Sequence, residues 1–250
     1  MINEKVSKNY LKVLASLIFK KFRQKYQLFI VEGEKIVFEI IRDNPSLIKD
    51  LVVADNYTLR DDILRNFNVM SADTSQFAKI SSMSTPPPLL AVCNMEEFEK
   101  IELKNTPDFD LFLDDIRDPG NAGTIIRTAE WFGFTNIYFS KESIDIFHPK
   151  LIQASMGSFF RTKCQILEEE DYHNFKKPLI GAVLDGKSLN SWKIPDSGTL
   201  VIGNESNGIS EDLLSLLDQK VRIDAAEGNE AESLNAAIAT SILLYKISNL

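Results

Sequence analysis

Histidine and cysteine are scarce in this chain, with two of each in 250 residues. His148 and His173 are too few for a histidine-based metal site or a nucleophile–histidine–acid triad. Cys93 and Cys164 stand far apart without metal-ligand spacing, so they read as reduced core thiols of a cytoplasmic protein. Long apolar runs are also missing. A stretch such as 89–93 is far too short to span a bilayer, and Met1-Ile2-Asn3-Glu4-Lys5 lacks the apolar core of a signal peptide, so no membrane partner is expected. No G-x-G-x-x-G follows a strand-like run and there is no P-loop lysine, which disfavours a nucleotide-dependent α/β enzyme. Net positive charge is lacking as well. The formal charge is -8, which by itself argues against a nucleic-acid partner.

That charge is unevenly spread. Residues 1–25 carry Lys5, Lys8, Lys12, Lys20, Lys21, Arg23 and Lys25 against one acid, Glu4. A local basic patch can bind phosphates while the bulk charge suppresses non-specific binding; the plainer reading is a solvated helix face. The length suits two modest domains. Residues 6–26 place Tyr10, Val13, Leu14, Leu17 and Ile18 at helical spacing, with the lysines opposite. Strands and helices then alternate up to a strand at 90–94, as in a small α/β sandwich. The charged stretch 96–107, which carries Pro107, reads as a linker. Beyond it, strands around Leu111, Ile137, 163–166, 179–183, 200–203 and 221–223 alternate with helices, the rhythm of a mostly parallel sheet covered on both faces. The terminal helix expected at 233–247 is apolar nearly all round, so it is buried or pairs with another subunit.

Three segments of this second half share one design. The apolar run 109–113 gives way to Asp118-Pro119-Gly120-Asn121-Ala122-Gly123, after which Ile125, Ile126, Ala129 and Phe132 mark one face of a helix. Gly120 and Gly123 let backbone approach a ligand, Asn121 can cap the helix, and Arg127 lies less than two turns further in. Leu200-Val201-Ile202 breaks into Gly203-Asn204-Glu205-Ser206-Asn207-Gly208. Val221-Arg222-Ile223 leads through an acidic loop to Ser233-Leu234-Asn235 and the terminal helix. Singly, each is a capped turn. Repeated in one order at strand ends, they point to an active site, because open α/β sheets bind ligands at the carboxyl ends of their strands.

Together, N-x-x-x-x-x-R at 121–127, G-N-E-x-x-G at 203–208 and S-L-N at 233–235 resemble the signature motifs of the SpoU/TrmH family, the RNA ribose 2'-O-methyltransferases of the SPOUT class. Upstream, Asn9-Tyr10-Leu11-Lys12, Lys20-Lys21-Phe22-Arg23 and Phe29-Ile30-Val31-Glu32-Gly33-Glu34 are similar to the small substrate-binding domain that often precedes that family's catalytic domain. Thr85-Pro86-Pro87-Pro88 looks like its end, and His148-Pro149-Lys150 with Ala154-Ser155-Met156-Gly157-Ser158 matches a recurrent segment between the first two motifs.

The resemblance implies a small α/β substrate-binding domain over 1–95, a linker over 96–107, and an α/β trefoil-knot (SPOUT) methyltransferase domain with a mostly parallel sheet over 108–250. Periodicity alone gives only a Rossmann-like domain; the knot comes from the resemblance. So do the cofactor, S-adenosyl-L-methionine, a ribosomal or transfer RNA partner, and a homodimer in which one subunit's Arg127 approaches its partner's cofactor. By position, Gly203, Ile223 and Leu234 would line the cofactor cleft, and Asn121, Arg127, Glu205, Ser233 and Asn235 would carry catalysis, with no metal. A guanidinium stays protonated, so Arg127 is expected to clamp phosphate and stabilise charge rather than to act as a base. Glu205 would accept hydrogen bonds from Arg127 or from backbone amides. Ser233 is a natural helix cap, whereas Asn235 inside the helix would be mildly unfavourable and so more telling.

One departure stands out. The family usually has Ile-Pro-Met before S-L-N; here Ile223 is followed by Asp224-Ala225-Ala226-Glu227-Gly228-Asn229-Glu230, acidic and without proline. That loop supports the alternative of an RNA-binding protein of the same fold that has no methyl-transfer activity.

Overall fold

The computed structural model describes residues 4–101 and 108–248. The chain divides into two compact units, one of Met1–Glu102 with Phe147–Gln153, the other of Leu103–Ile146 with Ala154–Leu250. A short helix, Met95–Glu99, runs into the linker expected over 96–107, and residues 102–107 lie outside the described residues.

In chain order the first unit contains β1 (Glu4–Lys5), α1 (Lys8–Ser16), α2 (Lys20–Tyr26), β2 (Leu28–Glu32), α3 (Glu34–Asp43), β3 (Ile48–Ala54), α4 (Asp61–Asn66), β4 (Val69–Ala72), α5 (Thr74–Ile80), β5 (Leu89–Asn94) and α6 (Met95–Glu99). Its sheet runs β1-β4-β3-β5-β2, with β5 antiparallel to both neighbours. Leu14, Leu17, Leu28, Ile30, Val52, Phe77 and Val92 form its core beneath α1 and α5. The single helix expected over 6–26 is two. Ser7 caps α1, and Phe19 is extended, which separates α1 from α2.

The second unit begins with β6 (Phe109–Leu113), α7 (Pro119–Trp131) and β7 (Asn136–Ser140). The chain then contributes α8 (Pro149–Ala154), most of which belongs to the first unit. Next come β8 (Lys163–Leu167), β9 (Leu179–Ser188), β10 (Gly198–Ile202), α9 (Glu211–Leu216), β11 (Gln219–Arg222) and α10 (Ala236–Ser248). Every pairing in this sheet is parallel. β6 and β10 are buried along their whole length, as strands covered on both faces must be. Each fully buried Leu, Val or Phe there contributes on the order of 1.5–3 kcal/mol.

The strand order is β11-β9-β10-β6-β7-β8. A Rossmann-like sheet would place its fourth strand beside its first. Here the fifth strand, β10, takes that position and β9 lies outside it. This corrects the Rossmann-like reading that periodicity alone suggested.

Candidate active site

The β6–α7 turn is fixed by Asp118, not by Asn121 as the sequence suggested. The Asp118 side chain caps α7 by accepting the Asn121 N–H at 2.7 Å, and Pro119 supplies the first-turn geometry that needs no N–H. Asn121 therefore lies inside the first turn, and its amide is free to reach outward. Its Nδ2 donates to Glu205 Oε1 at 2.5 Å, and its Oδ1 accepts from Asn235 Nδ2 at 3.1 Å. All three motifs thus meet at one side chain.

The second motif is held against the first. Ile202 pairs with Leu113, and the Asp114 N–H donates to the Ile202 carbonyl at 2.8 Å. Asn204 Nδ2 donates to the Asp115 carbonyl at 2.8 Å, while its Oδ1 accepts from the N–H groups of Ser206 and Asn207. Asp114 accepts from the Ser210 N–H at 2.7 Å. Burial pushes the Asp114 carboxyl above its usual range, and the bonds from Ser210 oppose that. Sequence reasoning missed Asn204 and Asp114 as positioning residues. The signal for Asn204 was present, since Asn in a glycine-bounded loop commonly bonds its own backbone two residues on.

The third motif starts its helix later than expected. Asn235 Oδ1 accepts from the N–H of Ala237 and of Ile238, so Asn235 is the cap of α10 and is not inside it. Ser233 is exposed and makes no side-chain hydrogen bond among the described residues, which removes the capping role proposed for it. Glu205 accepts from Asn121 and not from Arg127. Arg127 is exposed on α7 and has no ion pair among the described residues. A Cβ on Gly203 would lie 2.3 Å from the Gly208 carbonyl carbon, so the space this glycine leaves is filled by the loop's own backbone. Ile223 is half-buried just beyond β11, and Leu234 is 46% exposed. Leu184, also missed, is 74% exposed in the stretch of β9 that bulges between its pairings at Gly181 and Lys187.

Gly203 and Ile223 therefore sit at the carboxyl ends of β10 and β11, where α/β sheets bind ligands, and Leu184 lies in the bulge of β9, the strand between them. The model of the SpoU rRNA Methylase family matches residues 108–245. The chain belongs to that family. The model of the MRM3-like substrate binding domain matches residues 8–91. Across 91% of both chains, the sequence is 30% identical to the 23S rRNA (guanosine(2553)-2'-O)-methyltransferase RlmP of Bacillus subtilis. A solved TrmH-family protein from Porphyromonas gingivalis is 34% identical and superposes with TM-score 0.81, over 97% of this chain and 98% of its own. An AdoMet-bound rRNA methyltransferase from Sinorhizobium meliloti is 25% identical with TM-score 0.82, over 98% of this chain and 97% of its own. The second unit has the SPOUT trefoil-knot fold of these SpoU/TrmH methyltransferases, and the exchange of β9 and β10 is where its order leaves the Rossmann pattern. Among the described residues no cluster of His, Cys, Asp and Glu could hold a metal, and no helix is long and apolar enough to cross a membrane.

Proposed function

We propose that this protein transfers a methyl group from S-adenosyl-L-methionine to a ribose 2'-hydroxyl of ribosomal RNA, acting as a homodimer in the cytoplasm. The observation that carries the reading is the junction at Asn121, which binds Glu205 and Asn235 and so locks three separate strand-end loops into one arrangement. The residues present fit the cofactor. Ile223, Leu234 and Leu184 leave apolar side chains partly open beside these loops, suited to an adenine face. When bound, the cofactor supplies an activated methyl group.

The chain's own residues supply position and charge. Arg127, exposed on α7, clamps a substrate phosphate and stabilises charge developing at the 2'-oxygen. Asn121 and Asn235 orient the ribose and the motif loops, and Glu205 fixes the Asn121 amide in one direction. Within one chain Arg127 does not join this network, which supports a site completed by a second copy. Ile238, Ile242 and Tyr245 present an apolar stripe along α10, with Ile238 53% and Tyr245 60% exposed, and Trp131 is exposed at the end of α7, on which α10 packs. In this reading residues 1–95 bind the substrate and 108–250 carry the chemistry. Alignment with the 23S rRNA enzyme over nearly the whole chain supports ribosomal RNA over transfer RNA.

The test pairs calorimetry with a methylation assay. Arg127→Ala should abolish methyl transfer and leave cofactor affinity nearly intact. Unchanged turnover would remove Arg127 from the mechanism, and lost cofactor binding in a folded variant would put it in the other pocket. Ribose-methylation mapping of total RNA with and without the protein identifies the nucleotide. Failure of the wild-type protein to bind cofactor would favour the non-catalytic RNA-binding alternative.

A further inference from the structure

The first unit carries a surface built around the break between its first two helices. Arg23 is buried, and its Nη1 donates to the carbonyls of Leu17 and Ile18, both at 2.8 Å. These are carbonyls that the end of α1 leaves without helical partners. The clamp turns the chain outward, so that Phe19 is 59% exposed. Phe19, Phe22 and Tyr26 then follow at helical spacing. Phe19 meets Phe22 edge-on at 6.5 Å, and Phe22 stacks with Tyr26 at 6.3 Å. Lysines alternate with the rings. Lys21 Nζ lies 5.0 Å from the Phe22 centroid and Lys25 Nζ 5.4 Å from that of Tyr26, with Lys20 exposed beside them. None of these three lysines has an ion pair among the described residues, and no Asp or Glu occurs between Glu4 and Glu32.

We propose that this elbow is a stacking site for unpaired nucleotides of the substrate RNA. Bases would lie on Phe19 and the ladder behind it, and phosphates on Lys20, Lys21 and Lys25. The proposal rests on the RNA reading above and narrows it to the single-stranded form. A duplex offers phosphates but keeps its base faces stacked inside, so the exposed Phe19 ring, backed by half-buried Phe22 and Tyr26, would have no partner there. An unpaired strand presents a base face and a phosphate at each step, matching rings interleaved with cations. A protein partner would more often demand carboxylates or a hydrophobic cover over the whole patch, and a segment whose only charges are positive favours phosphate.

The experiment uses the full-length protein and a fluorescein-labelled 12-nucleotide single-stranded RNA, with the same strand in duplex as competitor and vesicles with anionic lipid as a separate arm. Phe19→Ala should weaken single-strand binding about tenfold, as loss of one base–aromatic stack implies, and Phe19→Trp should retain it. Lys20→Gln should reduce the salt dependence by about one phosphate contact. Cofactor affinity should be unchanged in all three. Because Phe19 is exposed, its variants should melt with the wild type. Equal binding of duplex and single strand, wild-type affinity in Phe19→Ala, or binding of vesicles without RNA would each overturn the proposal. Single-strand binding that depends on Phe19 in a protein inactive as a methyltransferase would leave the proposal standing and overturn only the enzymatic reading.

Discussion

Replacing Asn121 tests whether the three motifs work as one unit. Asn121→Ala removes two hydrogen bonds, the 2.5 Å bond to the Glu205 carboxylate and the 3.1 Å bond from Asn235. A hydrogen bond to a charged group contributes about 1.5–3 kcal/mol and a neutral one about 0.5–1.5. Asn121 and Glu205 are half-buried and Asn235 is exposed, so water replaces much of this, and a stability loss of about 1–2 kcal/mol is expected. That shifts Tm by roughly 2–8 °C in a chain of this size. The effect on turnover should be far larger, because misplacing a reacting arrangement by about 1 Å costs on the order of a hundredfold. Asn121→Asp should be worse than Ala, since it sets a second carboxylate against Glu205. Asn121→Asp combined with Glu205→Gln reverses donor and acceptor across the same contact and should recover part of the loss. The assay is transfer of radiolabelled methyl to rRNA taken from cells lacking the protein, at saturating cofactor, with Tm measured in parallel. In a double-mutant cycle, Asn121→Ala and Glu205→Ala should couple by about 1–3 kcal/mol in the activation free energy. Additive effects, or wild-type turnover in Asn121→Ala, would refute the idea that this amide joins the motifs.

Asn235→Ala should lower stability by about 1 kcal/mol through loss of the α10 cap, whereas Ser233→Ala should leave Tm unchanged; thermal melts of the two separate the residues. Ile242→Arg places a charge in the apolar stripe of α10 and should give a monomeric mass by light scattering at micromolar concentration, with turnover lost if the site is completed by the second copy. The Leu179 N–H and Lys177 hold the Asp218 carboxyl below its usual value of 3.8, so its contribution is fully present above that pH and is lost as pH falls through the lower folded value. Asp218→Asn should therefore remove part of the fall in Tm seen on acidification below pH about 4, and an unaltered profile would deny Asp218 that role.

The strands and the three loops at their ends were legible because apolar runs that stop at glycine and polar residues leave little choice of where chain leaves sheet. The helix starts were less so. Asp118, Asn121, Ser233 and Asn235 are all good caps, and local propensity cannot choose among them. Asp118 takes the first because Pro119 follows it, which releases Asn121 to span to the other motifs. Asn235 takes the last and, from the same position, reaches Asn121. The break at Phe19 was hidden because apolar spacing runs straight through it. The residue that stabilises it is an arginine, a type rarely buried, so its guanidinium reads from sequence as surface.

Strand order was the least legible feature, and it is the one on which the chemistry depends. Neighbouring strands lie about 4.8 Å apart. In a Rossmann order β9 would stand between β6 and β10, and the loops after those two strands would be separated by about 10 Å, beyond any direct hydrogen bond. With β10 beside β6, the Asp114 N–H reaches the Ile202 carbonyl, Asn204 reaches the Asp115 carbonyl, Ser210 reaches Asp114, and Asn121 reaches Glu205. The exchange also moves β9 next to β11, so the bulge carrying Leu184 and the chain leaving Arg222 open side by side. Gly186 permits that approach, because a Cβ there would meet the Val221 backbone at 2.6 Å. The same exchange that makes the chain harder to thread therefore assembles the polar junction on one side of β10 and the apolar opening on the other.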